Sequence, residues 1–317
     1  LYTLPTEEFQ IVPESTQYVT SAGTQMTDYV ILKQIDGGVY LDLEFVSQYT
    51  DMTYTAFEDP ARVAARTKWN DPQLVTAQKN SEIRQKGGIK SPIVAKVKKG
   101  DTLYLQEELD NWSRVATADG YSGYIKKEVL SDPKDDNEEH ASTAPEYTNI
   151  SKDYKINLAF HQVTSMDGNA TLAQMVADAQ GVNTISPTWF SVTDNNGTIS
   201  SLASADYVNQ AHAMGMEVWG LIDNFNSGTD NLTFLSSTAA RANIIQQLMT
   251  QAASVGLDGI NLDFESITEE QAPHYIQFVR ELSIACRNQG IVFSIDDPVP
   301  TYSKHCLLYT SDAADEL

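Results

Sequence analysis

Leu257-Asp-Gly-Ile-Asn-Leu-Asp-Phe-Glu265 alternates apolar and polar side chains. Its alternation predicts a buried strand, in which side chains two residues apart share one face at a separation of roughly 6–7 Å. Asn261, Asp263 and Glu265 therefore project together. Two carboxylates side by side at a strand end repel each other and lose hydration, and both effects push one pKa upward. A glutamate with a raised pKa is what general acid catalysis near neutral pH requires.

A structural ion cluster and a calcium loop are the alternatives to catalysis at this acidic strand end. The calcium loop fails, because the spacing does not follow the twelve-residue pattern and a regular strand supplies no encircling carbonyl groups. The residues by themselves leave catalysis and a structural cluster open.

The region around this strand alternates strands with helices, and a glycine follows each helix. Regular alternation predicts a parallel sheet, either doubly wound or a (β/α)8 barrel, in which Glu265 lies nearest the carboxyl rim where barrel active sites occur. No Gly-x-Gly-x-x-Gly follows the first strand, which counts against a dinucleotide fold. The predicted strands are 155–160, 182–189, 217–222, 259–264 and 291–295, and the predicted helices are 171–180, 206–214, 239–255 and 270–288.

Further candidates lie at the ends of the other predicted strands. Trp189 and Phe190 are candidates for stacking on a sugar ring, and packing in the core is an equal alternative. The polar pairs are candidates for contacts with sugar hydroxyls or for solvated loop starts. These pairs are Asp223 with Asn224 and Asp296 with Asp297. His161 is expected as a hydrogen-bonded core residue, and His212 and His274 as surface residues.

The first part of the chain shows a different sequence pattern. Short β-type runs at 93–99, 102–105, 112–115 and 123–126 are separated by Gly and Asp turns, which predicts a small barrel. The acidic, Pro-bearing stretch from Ser131 to Pro145 lacks apolar periodicity and is predicted to be a linker.

Composition excludes several classes of function. The 317 residues contain 21 Lys and Arg against 43 Asp and Glu, a formal net charge of −22. Such a chain repels nucleic-acid backbones and anionic membrane surfaces. No uninterrupted apolar run reaches the ~18 residues of a membrane span. The two cysteines supply neither a disulfide framework nor a zinc cluster, so no metal is expected.

The segment from Asp258 to Glu265 resembles the signature of glycoside hydrolase family 18, Asp-x-x-Asp-x-Asp-x-Glu on the fourth barrel strand. The resemblance extends over about 155–305 and is strongest to the branch of bacterial spore-cortex and cell-wall N-acetylglucosaminidases. It implies that Glu265 is the acid/base, that Asp263 orients the substrate acetamido group and that Asp258 supports the strand. It implies no cofactor. Asn261 departs from the pattern, which usually has Asp there, and puts in doubt how the charge on Asp263 is relayed.

Residues 80–131 resemble a bacterial SH3 domain. The resemblance rests on Lys98-Lys-Gly-Asp101, the Asn111-Trp112 pair and the run 119–125. It implies binding to the cell wall, and the segment is expected to fold independently. Three aromatic residues are candidates for a binding face, with core packing as the alternative: Trp112, Tyr121 and Tyr124.

The fold class predicted for the chain is α/β: a (β/α)8 TIM barrel truncated after about five strands, preceded by a small all-β SH3-like barrel and an N-terminal accessory α+β domain. The corresponding ranges are 1–79 for the accessory or stalk domain, 80–131 for the SH3-like domain, 132–150 for the acidic linker, 151–305 for the barrel and 306–317 for a non-native tail. Residues 306–316 resemble a translated sequencing adapter. A chain truncated in this way is expected to be inactive.

The predicted function is cleavage of β-1,4 bonds in N-acetylglucosamine-containing polymers, with peptidoglycan ahead of chitin. The resemblance implies a retaining, substrate-assisted mechanism. The expected location is extracellular or at the bacterial cell wall, with a signal or anchor missing from the fragment. One alternative is a non-catalytic carbohydrate-binding protein on the same fold, against which the retention of Glu265 argues. Another is a scaffold whose working part is the SH3-like domain.

Overall fold

The structure, a computed structural model, describes residues 1–66, 73–136 and 150–297. The predicted tail 306–317 and most of the predicted linker lie outside these residues. Two units divide the chain: one takes Leu1–Gln10, Val19–Thr24 and the described part of Glu146–Leu317, and the other takes Ile11–Tyr18 and the described part of Gln25–Pro145. None of the helices described combines the length and the apolar character needed to cross a membrane.

Residues 1–66 contain short strands and one helix. The elements are β1 (Tyr2–Thr3), β2 (Glu8–Ile11), β3 (Gln17–Thr20), β4 (Gly23–Met26), β5 (Leu32–Ile35), β6 (Gly38–Leu41), α1 (Leu43–Tyr49), β7 (Thr53–Glu58) and β8 (Ala61–Arg66). The side chain of Asp42 caps α1 by accepting a hydrogen bond from Glu44 N at 2.9 Å. Phe45 of this helix is buried and meets the ring of Tyr18 edge-on at 5.2 Å.

The second group of strands forms one sheet with the order β11-β10-β14-β13-β12-β9-β15. Its strands are β9 (Gln73–Thr76), β10 (Ser81–Arg84), β11 (Ile93–Val97), β12 (Thr102–Glu108), β13 (Trp112–Ala116), β14 (Ser122–Lys126) and β15 (Lys134–Asp135), with a 3-10 turn at Lys127–Val129. All four predicted strands are present, and β9, β10 and β15 are additional. Gly123 allows β14 to approach β10, because a Cβ there would lie 2.5 Å from the carbonyl oxygen of Arg84.

The hairpin β7–β8 packs on this sheet through two arginines. The guanidinium of Arg62 lies 4.5 Å from the ring centroid of Tyr121 and donates from Nε to the carbonyl oxygen of Asp119 at 2.7 Å. Arg66 lies over the ring of Tyr104 at 3.8 Å. The hairpin, within the range predicted as an accessory domain, therefore contacts the SH3-like sheet directly.

The third sheet is parallel, and its strands follow one another in sequence order. Its path is β16 (Leu158–His161), β17 (Thr184–Val192), β19 (Glu217–Asp223), β20 (Gly259–Asp263) and β21 (Val292–Ile295), and β18 (Ile199–Ser201) pairs with β17. A doubly wound sheet reverses its strand order at a switch point, and these five strands show no reversal. The order is that of a (β/α)8 barrel, whose closure stays a prediction.

In the described part of the chain, helices alternate with the strands of this parallel sheet. They are α2 (Leu172–Met175), α3 (Ala205–Ala213), α4 (Asn231–Ser236), α5 (Thr238–Val255) and α6 (Ala272–Gln289). Gly256 and Gly290 end α5 and α6 in the left-handed conformation, as the sequence predicted. Ile260 and Leu262 of β20 are fully buried in the core that these helices form.

The structure corrects the prediction of a helix over 171–180. A 3-10 turn at Met166–Thr171 leads into α2, which has four residues and buries only Leu172. Short helices depend on an apolar face that packs against the rest of the protein, and residues 177–180 are exposed. The first strand is also shifted, from the predicted 155–160 to Leu158–His161.

Candidate active site

The carboxyl end of β20 brings together acidic side chains from three neighbouring strands. Asp263 is the register partner of Asp223 at the end of β19, so both side chains lie on the same face of the sheet. Asp296 follows β21 on the other side, and its backbone N–H donates to the carbonyl oxygen of Leu262 at 2.9 Å. The pairing of parallel strands therefore places these three carboxylates at one edge.

Asp263 has the most perturbed carboxyl group of this edge. Its pKa rises from the ordinary 3.8 to about 6. Partial burial is the largest cause, and the negative charges of Asp296, Glu265 and Asp223 add to it. A carboxyl group with such a pKa exchanges its proton near neutral pH, which is typical of functional sites.

Asn261 is buried beneath Asp263 and links two residues at the end of the sheet. Its Nδ2 donates to Oδ2 of Asp296 at 2.6 Å, and its Oδ1 accepts from Oγ of Ser294. Burial raises the pKa of Asp296, and the hydrogen bond from Asn261 partly offsets the rise. The carboxyl group that contacts the Asn261 amide therefore comes from Asp296, which follows the neighbouring strand β21.

Glu265 lies just beyond β20 and is exposed. Its backbone is held by the side chain of Asn224: Glu265 N donates to Asn224 Oδ1 at 2.9 Å, and Asn224 Nδ2 donates to the carbonyl oxygen of Glu265 at 3.0 Å. Asp223, the residue before Asn224, accepts from Oγ of Ser191 at 2.6 Å. The polar pair at the end of β19 is therefore engaged by protein groups.

Asp258 lies at the opposite, amino-terminal end of β20. Its Oδ2 accepts from the backbone N–H of Val218 at 2.8 Å and lies 2.8 Å from Nε2 of His212. These contacts tie α3 and the start of β19 to the start of β20. The structure thus separates Asp258 from Asp263 and Glu265, with which the signature groups it.

Trp189 and Phe190 lie within β17 and are each 1% exposed. The Trp189 indole N–H donates to Oδ1 of Asn169 at 2.8 Å, and its ring packs edge-on against Tyr207. Neither ring offers a face to a sugar, so core packing, the alternative interpretation, describes both. An exposed ring at this edge is Phe225, which follows Asn224 and is 56% exposed.

Asp297 and His161 are the remaining candidates, one exposed and one buried. Asp297 is the last residue described and is exposed, and partial loss of hydration at its carboxyl group together with the charge of Asp296 raises its pKa. His161 is buried between the hydroxyl of Tyr207 at 2.8 Å and Oγ1 of Thr171 at 3.1 Å, as expected for a core histidine. Sequence reasoning missed Ser191 and Ser294, because single serines in strands have no distinguishing pattern.

Comparison with known proteins identifies one part of the chain. Residues 77–132 match the family model of the bacterial SH3 domain. This confirms the resemblance found in the sequence and extends its range by a few residues at the amino-terminal side. The match covers less than half of the chain.

The chain is also similar to a curated relative. The chain is 25% identical over 111 residues to the uncharacterized glycosylase YvbX of Bacillus subtilis (strain 168), over 33% of this chain and 32% of the relative. The chain therefore spans about a third of the length of this curated relative.

Solved structures with a similar arrangement share little sequence with this chain. One is the C-terminal domain of a protein assigned as a chitinase from Desulfitobacterium hafniense DCB-2, with a TM-score of 0.42, 20% identity, and coverage of 48% of this chain and 49% of that one. Another is the spore cortex-lytic enzyme SleL of Bacillus cereus, with a TM-score of 0.37, 16% identity, and coverage of 57% and 39%.

Proposed function

We propose that this chain carries the catalytic strand of a glycoside hydrolase that cleaves β-1,4 bonds of N-acetylglucosamine-containing polymers. The observation that carries the proposal is the pair Asp263 and Glu265 at the carboxyl end of β20, in two different environments. Asp263 is half-buried among carboxylates, and Glu265 is exposed beyond the strand. Two carboxyl groups with different surroundings are suited to two different roles.

Glu265 is the proton donor in this proposal. It protonates the glycosidic oxygen while the carbonyl oxygen of the substrate 2-acetamido group attacks the anomeric carbon and the bond to the leaving sugar breaks. Water then opens the resulting oxazolinium ring, and Glu265 accepts the proton of that water. Asp263 orients the acetamido N–H. The scheme is an exception to the usual pair of acid and nucleophile carboxylates.

The preference for peptidoglycan over chitin rests on residues 77–132. A bacterial SH3 domain in the same chain supplies a means of holding the cell wall near the catalytic strand. The similarity to YvbX, named as a glycosylase, supports the reaction class. Phe225 is an exposed ring at this edge that is available to stack on a sugar. Cell-wall association outside the cell follows from the same proposal.

The stereochemistry of the product tests the mechanism. The full-length product of the gene that contains this chain is incubated with N-acetylglucosamine oligomers and with purified peptidoglycan, and the first product is followed by proton NMR. We expect the β anomer first, because two displacements at the anomeric carbon retain its configuration. The α anomer first would refute the substrate-assisted scheme, and binding to these polymers without any cleavage would favour the non-catalytic alternative.

A further inference from the structure

The side chain of Asn224 pairs with the backbone of Glu265 as a neighbouring strand would. Backbone pairing between β19 and β20 extends to Asp223 and Asp263. One residue further along β19, the Asn224 carboxamide accepts from the Glu265 N–H at 2.9 Å and donates to the Glu265 carbonyl oxygen at 3.0 Å. The side chain thus continues the ladder past the point where the two strands end.

The hydrogen-bond partners of the Asn224 carboxamide fix its orientation and occupy both of its N–H groups. A backbone N–H only donates and a backbone carbonyl only accepts, so Oδ1 must face the Glu265 N–H and Nδ2 the carbonyl oxygen. The second hydrogen on Nδ2 goes to Oδ1 of Asn231 at 3.1 Å. Asn224 is 9% exposed, and both N–H groups of its carboxamide have protein partners.

The residues on either side of Glu265 are also held. The ring of Phe264 is buried and stacks on Phe278 at 5.4 Å between centroids and 6° between planes. Ser266 has a φ of 58°, in the left-handed region that non-glycine residues rarely adopt. Such conformations persist where surrounding contacts enforce them, and they concentrate at functional sites.

We propose that Asn224 is a positioning residue that fixes the backbone of Glu265, and with it the height of the acid/base carboxyl group above the sheet. This inference rests on the proposed function. A general acid works only within hydrogen-bond reach of the atom it protonates, and a displacement of about 1 Å can reduce the rate about 100-fold. Because Glu265 is exposed, its backbone is the part that the protein holds.

Kinetics of the full-length protein test the role of Asn224 with three variants. Asn224→Ala removes both bonds to Glu265, and Asn224→Asp keeps the acceptor but turns a second oxygen toward the Glu265 carbonyl. Ser227→Ala is the control in the same loop, since Ser227 is exposed. We expect Asn224→Ala to lower kcat on N-acetylglucosamine oligomers about 10- to 100-fold, with KM changed less than about threefold. The kcat of Asn224→Asp should fall at least halfway to that of Asn224→Ala, and Ser227→Ala should match the parent.

A substrate that needs no proton separates positioning from a general structural defect. The 2,4-dinitrophenolate group leaves without protonation, so Asn224→Ala should slow its first-turnover release from a 2,4-dinitrophenyl N-acetylglucosaminide less than about threefold. The first turnover is followed because the later opening of the oxazolinium ring uses Glu265 as a base. In a Glu265→Gln background, the same change should also cost less than about threefold, because the remaining rate does not use the carboxyl group. An equal loss on both substrates, or a full loss in the Gln background, would overturn the proposal.

Hydrogen exchange tests the contact independently of activity. The Glu265 amide should exchange at least about tenfold faster in Asn224→Ala than in the parent, and the Leu262 amide inside β20 should not change. Unchanged exchange at Glu265 would show that Asn224 does not hold the Glu265 backbone, whether or not the protein is active. A parent that cleaves no glycan would overturn the proposed function and the catalytic consequence together, while the exchange result would still decide whether Asn224 holds Glu265.

Discussion

At the scale of single residues, Asp263 carries a carboxyl group whose ionisation costs stability. Its carboxyl group is half-buried among three other carboxylates and its pKa rises to about 6. Its folded-state pKa therefore lies above the ordinary 3.8, so the folded protein binds this proton more tightly than the unfolded chain does. The contribution of Asp263 to stability accordingly falls as the pH rises from about 4 to about 6.

This dependence predicts the effect of Asp263→Asn on the melting temperature. The variant should melt above the parent at pH 7, where the charge is present, and the difference should shrink toward pH 4, where the parent carboxyl group is protonated. Thermal denaturation followed by circular dichroism across this range measures it. Asp178→Asn, at an exposed position, is the control. A parent that melts above the variant at pH 7 would show that the cluster stabilises the ionised form.

The residue scale also shows what the sequence could not provide. The signature correctly placed Asn261, Asp263 and Glu265 at one strand end, because a period of two is a property of every strand. The sequence predicts Trp189 and Phe190 at the end of the second strand, but β17 continues to Val192 and takes both rings into the core. The end of a strand depends on its neighbours, and aromatic side chains fit both a strand and a sugar site.

At the scale of elements, periodicity predicted the long helices and the buried strands well. α3, α5 and α6 begin and end within two residues of the predicted ranges. In the region of the parallel sheet, the missed elements are α4 and β18, and α2 is much shorter than predicted. These elements have six residues or fewer, too short to show a helical or strand period, and contacts made elsewhere in the chain determine them.

A buried ion pair joins α5 to α6. Arg241 and Glu281 have side chains that are 5% and 2% exposed, and Nη2 and Oε1 lie 2.9 Å apart. Arg241 also donates to the carbonyl oxygen of Leu235 at 2.6 Å, and Gln277 donates to Glu281 at 2.9 Å. Neither charge can reach water if its partner is removed.

We therefore expect Glu281→Ala to lower the free energy of unfolding by about 3–5 kcal/mol, since it leaves a buried guanidinium without its partner. Replacing both members, in Arg241→Met with Glu281→Leu, should cost much less than the single change. Denaturant titrations of Arg241→Met, Glu281→Leu and the double variant measure the coupling. Glu128→Ala, in an exposed pair with Lys126, is the control and should change stability by less than about 1 kcal/mol. A cost at Glu281 as small as this would contradict the account.

At the scale of the whole molecule, the extent of the SH3-like sheet differs from the range read from the sequence. β9 lies between β12 and β15, and its Val75 belongs to the buried core together with Ala77. Both residues precede the predicted range 80–131. The turn motifs that identify this domain lie in its middle, so they say little about the strands that complete its sheet.

This arrangement predicts which segment folds alone. Residues 73–136 should melt cooperatively. Residues 80–131, which the sequence predicts to fold independently, lack β9 and leave one edge of β12 unpaired, so from the structure we expect them to be unfolded or to melt far lower. Far-UV circular dichroism of the two segments on heating measures the difference. Equal melting temperatures would show that β9 adds nothing to the sheet.

One substitution decides whether Glu265 acts as the acid/base of a glycosidase. Glu265→Gln in the full-length protein keeps the shape and hydrogen bonding of the side chain but cannot deliver a proton. General acid catalysis is worth about 10²–10⁴-fold, so hydrolysis of N-acetylglucosamine oligomers and peptidoglycan should fall at least 100-fold with an unchanged melting temperature. Glu269→Gln, an exposed glutamate in the turn that follows, should leave the rate unchanged. Hydrolysis by Glu265→Gln within about threefold of the parent rate would contradict the account.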